Sequence, residues 1–140
     1  MHDGSITIRI AASISEIERL NRLVRQFGEL HELQGRALYA LNLAIDELVT
    51  NALLYGYNGD CGSEAIVIEV VAARNELQAT ITDTGREFDP RNVAPPNLDA
   101  PLEERTLGGL GIHLVRSLMD VITYERVGEK NVLTVKKRIR

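Results

Sequence analysis

Three short blocks carry residues whose types and spacing could do chemistry: Glu47-Leu-Val-Thr-Asn51, Asp83-Thr-Gly85 and Gly108-Gly109-Leu110-Gly111. An amide oxygen on a helix can ligate Mg²⁺. That ion keeps several waters and takes its remaining ligands from phosphates, so Asn51 could be the only protein ligand and no aspartate cluster is needed. Glu47, four residues earlier, would lie about 6 Å along the helix axis on nearly the same face. From there its carboxylate can take a proton from a hydroxyl attacking a metal-bound γ-phosphate. A carboxylate such as Asp83 at the end of a strand can accept from the exocyclic amino group of adenine, whereas guanine presents a carbonyl at that edge. The missing side chain at Gly85 would let the base lie flat against the backbone. Successive unhindered N–H groups at a helix N-terminus bind phosphate oxygens, helped by the helix dipole. Gly111 would cost about 1 kcal/mol relative to alanine in an ordinary first turn, so close approach is the reason to expect a glycine there. Arg105, just upstream, could meet a terminal phosphate through its planar fork.

Each block alone also has an ordinary structural reading. Glu47 and Asn51 could line a solvated helix face, Asp83 and Gly85 a plain turn, and Arg105 could be a solvated loop charge. Taken together, the blocks describe a site for a magnesium-bound nucleoside triphosphate. Neither the G-x-x-x-x-G-K-[ST] loop nor a glycine fingerprint within an early βαβ unit is present.

The elements that must position these residues follow from periodicity. Ile6, Ile8 and Ile10 alternate with polar residues, which predicts a strand over 5–11. Ser13 and Ser15 each precede a glutamate by three residues, a capping-box spacing. Ile14, Ile17, Leu20, Leu23, Phe27 and Leu30 then mark the apolar stripe of a first helix. A second helix is expected from about 35 to 55, burying Leu38, Leu41, Ala44, Ile45, Leu48 and Ala52, with Glu47 and Asn51 off the centre of its stripe. Runs at 65–73 and 77–82 flank Arg74-Asn75 as a hairpin. All four prolines fall between 89 and 107, which reads as a long loop of the kind that forms a lid. A helix over about 109–119 and two strands near 121–126 and 132–138 complete the chain. This order predicts a single α+β domain over 1–140, a two-layer sandwich with the helices on one face of one sheet.

Composition narrows the classes. Net charge is −4, with 16 basic and 20 acidic residues, which argues against a surface that tracks a nucleic-acid backbone. With Cys61 as the only cysteine, neither an intrachain disulfide nor a cysteine zinc site is available. No apolar run reads as approaching the ~20 residues of a membrane span and no signal-like N-terminus is seen, so a cytoplasmic protein with no membrane or nucleic-acid partner is expected. His31-Glu32-Leu33 looks superficially like a phosphoacceptor box, yet it stands only 16 residues before Glu47, too close for the separate helical hairpin such a box needs.

The blocks, in this order, resemble the GHKL ATPase superfamily. More narrowly, Ala44 to Tyr57, Asp83 to Pro90 and Gly108 to Asp120 are similar to the anti-sigma-factor serine kinases of the RsbW and SpoIIAB type, over nearly the whole chain. The resemblance implies the Bergerat ATP-binding fold, a mixed, mostly antiparallel sheet with about three helices on one face, and an ATP lid over about 89–107. It implies ATP and Mg²⁺ as cofactors, with Glu47 as catalytic base and Asn51 as magnesium ligand. Asp83 and Gly85 would contact adenine, Gly108, Gly109 and Gly111 would form the phosphate loop, and Thr134 in the last strand would sit near the base. It further implies a protein serine kinase that phosphorylates a STAS-type antagonist and sequesters a sigma factor, and it implies a homodimer. A non-catalytic, ATP-gated regulator-binding module is the alternative. Glu87 stands where many relatives have a second glycine, and Tyr55 where many have a histidine.

Overall fold

Strand β1 (Gly4–Ala12) buries Ile8, Ile10 and Ala12 on one face and leaves Thr7 and Arg9 exposed on the other. The computed structural model describes residues 3–33, 35–57, 61–92 and 109–139. After β1, extended Ser13 accepts from the Ser15 N–H at 3.3 Å and starts a 3₁₀ turn, Ile14–Glu16. The Glu16 carboxylate reaches back past Ser13 to the Ala11 N–H at 3.0 Å, because Ser13 N already donates to Ala11 O.

Helix α1 (Ile17–Leu30) buries Leu20, Val24 and Phe27. Ile14 and Leu30, expected on that stripe, are 56% and 74% exposed. The tighter 3₁₀ turn takes Ile14 out of phase with the α-helical stripe, and Leu30 stands at the helix end. Helix α2 (Gly35–Gly56) begins at a glycine with φ of +58° and crosses α1 closely: a Cβ on Gly28 would come within 2.6 Å of Leu38.

The expectation that no segment approaches a membrane span needs amending, since α2 is long and apolar enough by composition. Half of its apolar window is buried inside the fold, where Ala40, Leu41, Ala44, Ile45, Leu48 and Val49 pack as a core helix.

β2 (Cys61–Ala73) and β3 (Glu76–Asp83) form the expected hairpin, with Arg74 at φ +54°. Pro90–Asn92 form a short 3₁₀ turn, and the rest of the expected lid, including Arg105 and Gly108, lies outside the described residues. Helix α3 (Gly109–Leu118) leads to β4 (Val121–Val127) and β5 (Lys130–Arg138). Strand order is β1-β2-β3-β5-β4, and every pairing is antiparallel, including those for which a mixed sheet was expected. The chain leaves β3, reaches the far edge through α3 and β4, and returns by a hairpin so that β5 fills the slot beside β3.

Period-two alternation makes this a two-layer fold. Ile66, Ile68, Val70, Leu77, Ala79, Ile81, Leu133 and Val135 face the helices and are buried. Each such large aliphatic contributes roughly 1.5–3 kcal/mol on burial. Glu69, Thr80, Thr82 and Thr134 occupy the alternate, open face.

Candidate functional site

Helix α2 lies between two later segments. Near its C-terminal end, Gly56 O accepts from the Arg86 N–H at 2.8 Å, and a Cβ on Gly85 would sit 2.7 Å from that same carbonyl. Gly85 is therefore needed for the close approach of the β3 end to the end of α2. Two turns earlier, Glu47 faces the first turn of α3: a Cβ on Gly111 would overlap the carboxylate, lying only 2.5 Å from Glu47 Cδ. A glycine at 111 is what allows this contact. Burial and the neighbouring charge of Asp46 push the Glu47 carboxyl above its ordinary value, which makes its carboxylate a better proton acceptor than an exposed one.

Asn51, expected at the margin of the apolar stripe, is instead 1% exposed. Its Nδ2 donates to Glu47 O at 2.6 Å, while its Oδ1 is buried with no hydrogen-bond partner. An orphaned carbonyl oxygen is costly to bury, and a hard cation is a partner it suits. Among the described residues no group of three or more His, Cys, Asp or Glu could hold a metal. A cation here would thus rely on this amide oxygen, on water and on the oxygens of a bound ligand.

Asp83, the last residue of β3, is 5% exposed. Its Oδ1 accepts from the Gly85 N–H and from Asn131 Nδ2, each at 2.9 Å. Desolvation pushes its carboxyl above the ordinary value, against the lowering effect of those two donors and of Arg126. Asp83 lines a small, partly open pocket whose apolar walls include Leu48, Ile81, Phe88 and Leu133. Tyr55, the departure from the histidine of many relatives, stacks on Phe88 with ring centroids 4.9 Å apart, and its carbonyl accepts from Arg86 Nη2 at 2.9 Å. It ties the end of α2 to the loop after β3.

The fold therefore brings Glu47 against Gly111 and Gly85 against the end of α2, with Asn51 between them on the same helix and Asp83 in the adjoining pocket. Gly109 is the first residue of α3. Thr134 is not brought to the pocket. Strand alternation turns it to the open face, where its hydroxyl lies 3.4 Å from that of Thr80. The β5 residues on the pocket side are Asn131 and Leu133, two of its lining residues. Asn131 was missed as a site residue, though its even spacing from the apolar Leu133 and Val135 places it on the buried face. His31 packs its ring 4.5 Å from Phe27, against Gly4.

The histidine kinase-like ATPase domain model matches residues 10–137. Over 140 aligned residues the chain is 29% identical to serine-protein kinase RsbW of Listeria monocytogenes, covering 96% of this chain and 87% of that one. It is 35% identical over 86 residues to serine-protein kinase RsbW of Bacillus thuringiensis, covering 59% of this chain and 52% of the relative. Among solved structures, the RsbU and RsbW domains of a Mycobacterium tuberculosis protein superpose with a TM-score of 0.70 at 18% identity. That match covers 96% of this chain and about a third, 32%, of the two-domain protein, and it speaks to the fold alone.

Proposed function

Because this chain belongs to the histidine kinase-like ATPase domain family, we propose that it is a Mg-ATP-dependent protein serine kinase of the anti-sigma type, acting in the cytoplasm. Its substrate is a serine on a small STAS-type antagonist, and a sigma factor is the partner it sequesters. One observation carries the reading: the buried, unpartnered Asn51 Oδ1 lies one helical turn from a Glu47 carboxylate that faces the glycine-bearing first turn of α3.

When bound, magnesium-ATP would supply the γ-phosphoryl group to the serine oxygen, with ADP as the leaving group. The protein's own groups do the rest. Asn51 Oδ1 holds the cation, and Asp83 and the apolar pocket orient the base. Gly108, Gly109 and Gly111 cradle phosphates, with Arg105 offering a charge to the terminal one. Glu47 accepts the proton of the attacking serine hydroxyl, and partial burial raises its basicity for that step.

Incubation with γ-labelled ATP, Mg²⁺ and a co-encoded STAS-type protein tests this. Acid-stable phosphoserine on the partner is expected, and Glu47→Ala should slow its formation by about 10²–10⁴-fold, the contribution of a general base, while sparing ATP binding. Undiminished labelling by Glu47→Ala would remove the base assignment. ATP binding with no transfer to any co-encoded partner would favour a non-catalytic, ATP-gated module.

A further inference from the structure

Asn131 opens the buried register of β5 and is the cross-strand partner of Asp83. It is 4% exposed, and its amide is saturated. Nδ2 donates to Asp83 Oδ1 and to Arg86 O, each at 2.9 Å. Oδ1 accepts from Tyr124 OH at 2.5 Å and from Arg126 Nη1 at 3.0 Å. A side-chain amide is nearly symmetric in shape and turns over unless its neighbours tell oxygen from nitrogen. Here they do so without help from Asp83, because a guanidinium can only donate and a backbone carbonyl can only accept. The NH₂ group is therefore directed at Asp83 by Arg126 on the oxygen side of the amide and by the Arg86 carbonyl beside Asp83.

The consequence falls on Asp83. Two donors, the Gly85 N–H and the Asn131 amide, converge on Oδ1. That oxygen is committed as an acceptor, and Oδ2 is the one left for an occupant of the pocket. We propose that Asn131, held by Tyr124 and Arg126, is a positioning residue for base selectivity. It keeps Asp83 turned so that Oδ2 accepts from a purine carrying an amino group at position 6 and rejects one carrying a carbonyl there. The assignment rests on the nucleotide reading above and adds a residue that the three motif blocks do not contain. Burial raises the Asp83 carboxyl and the Asn131 hydrogen bond opposes that rise, so the same amide also helps keep the acid in its accepting form.

The test compares ATP with ITP, which differs at the position-6 edge without guanine's additional amino group. Equilibrium binding is measured with Mg²⁺ for the full chain, Asn131→Leu, and the double variant Tyr124→Phe with Arg126→Met. The unmutated protein should prefer ATP by roughly tenfold or more, the size of one hydrogen bond to a buried charged group. Asn131→Leu should bring that ratio close to one, and the double variant, whose amide loses two of the donors that hold its oxygen and keeps the Arg86 carbonyl, should lower it by a smaller, measurable factor. A purely structural role would weaken both nucleotides equally and leave the ratio intact. If Asn131→Leu does not fold, the double variant decides. An unmutated preference for ATP that survives in the variants overturns the role of Asn131 alone, and an unmutated protein that binds neither nucleotide overturns the nucleotide reading itself.

Discussion

Replacing Gly111 by alanine separates the two reasons a glycine could stand at the start of α3. The added Cβ would lie 2.5 Å from Glu47 Cδ and 3.1 Å from Oε1, against the ~3.5–4.0 Å at which carbon atoms rest. Glu47 must therefore give way by about 1 Å or more, and a misplacement of about 1 Å at a reacting group can cost about 100-fold in rate. That corresponds to about 2.7 kcal/mol of transition-state stabilisation. Stability should hardly change. Alanine gains up to about 1 kcal/mol over glycine in a helix, and a forced side-chain rotation costs about 0.5–1.5 kcal/mol. Single-turnover transfer from γ-labelled ATP, paired with thermal melts, measures both effects. The decisive sample is Glu47→Ala with Gly111→Ala. With no carboxylate to displace, the second change should cost nothing further, and the double variant should be no slower than Glu47→Ala alone. Wild-type rates in Gly111→Ala would refute the reasoning. Losses that multiply in the double variant would also refute it, because they would place the need for Gly111 on the phosphates and not on Glu47.

Asn51→Leu removes a buried acceptor that has no partner, a defect worth about 1–3 kcal/mol. Thermal scanning should show a melting temperature unchanged or raised by a few degrees, roughly 4 °C per kcal/mol for a domain of this size, together with loss of the added stabilisation by Mg-ATP. A lowered melting temperature with that stabilisation retained would count against the metal assignment. Asp83→Asn addresses pH. The folded carboxyl lies above its unfolded value, so the stability it confers is full below its ordinary value of 3.8 and is lost as pH rises through the raised folded value. At neutral pH the wild type thus carries a penalty that the amide lacks. Urea unfolding should find Asp83→Asn the more stable at pH 7, with the gap closing as pH falls towards 3.8. A variant less stable at pH 7 would contradict the burial argument.

Local periodicity carried most of the architecture. Ile8 and Ile10 alternate into β1, Leu41 to Leu48 repeat at helical spacing into α2, and Arg74-Asn75 turn between two β-branched runs, each within a few residues of its expected bounds. The three blocks were legible for the same reason, since the spacing of Glu47 to Asn51 or Asp83 to Gly85 is set by a single element. What adjacency along the chain could not supply was pairing between distant segments. Nothing local says that Asn131 meets Asp83 across 48 residues, that the returning β5 separates β3 from β4, or that Thr134 faces away from the pocket. Likewise, Asn51 has the composition of a helix margin, and only the packing of α2 against its neighbours leaves its oxygen buried and unsatisfied. Helix and strand periods are properties of short stretches of backbone, and the sequence by itself determined these. Register, strand order and the burial of a polar atom depend on which remote surface arrives to exclude water, and only the tertiary structure decided those.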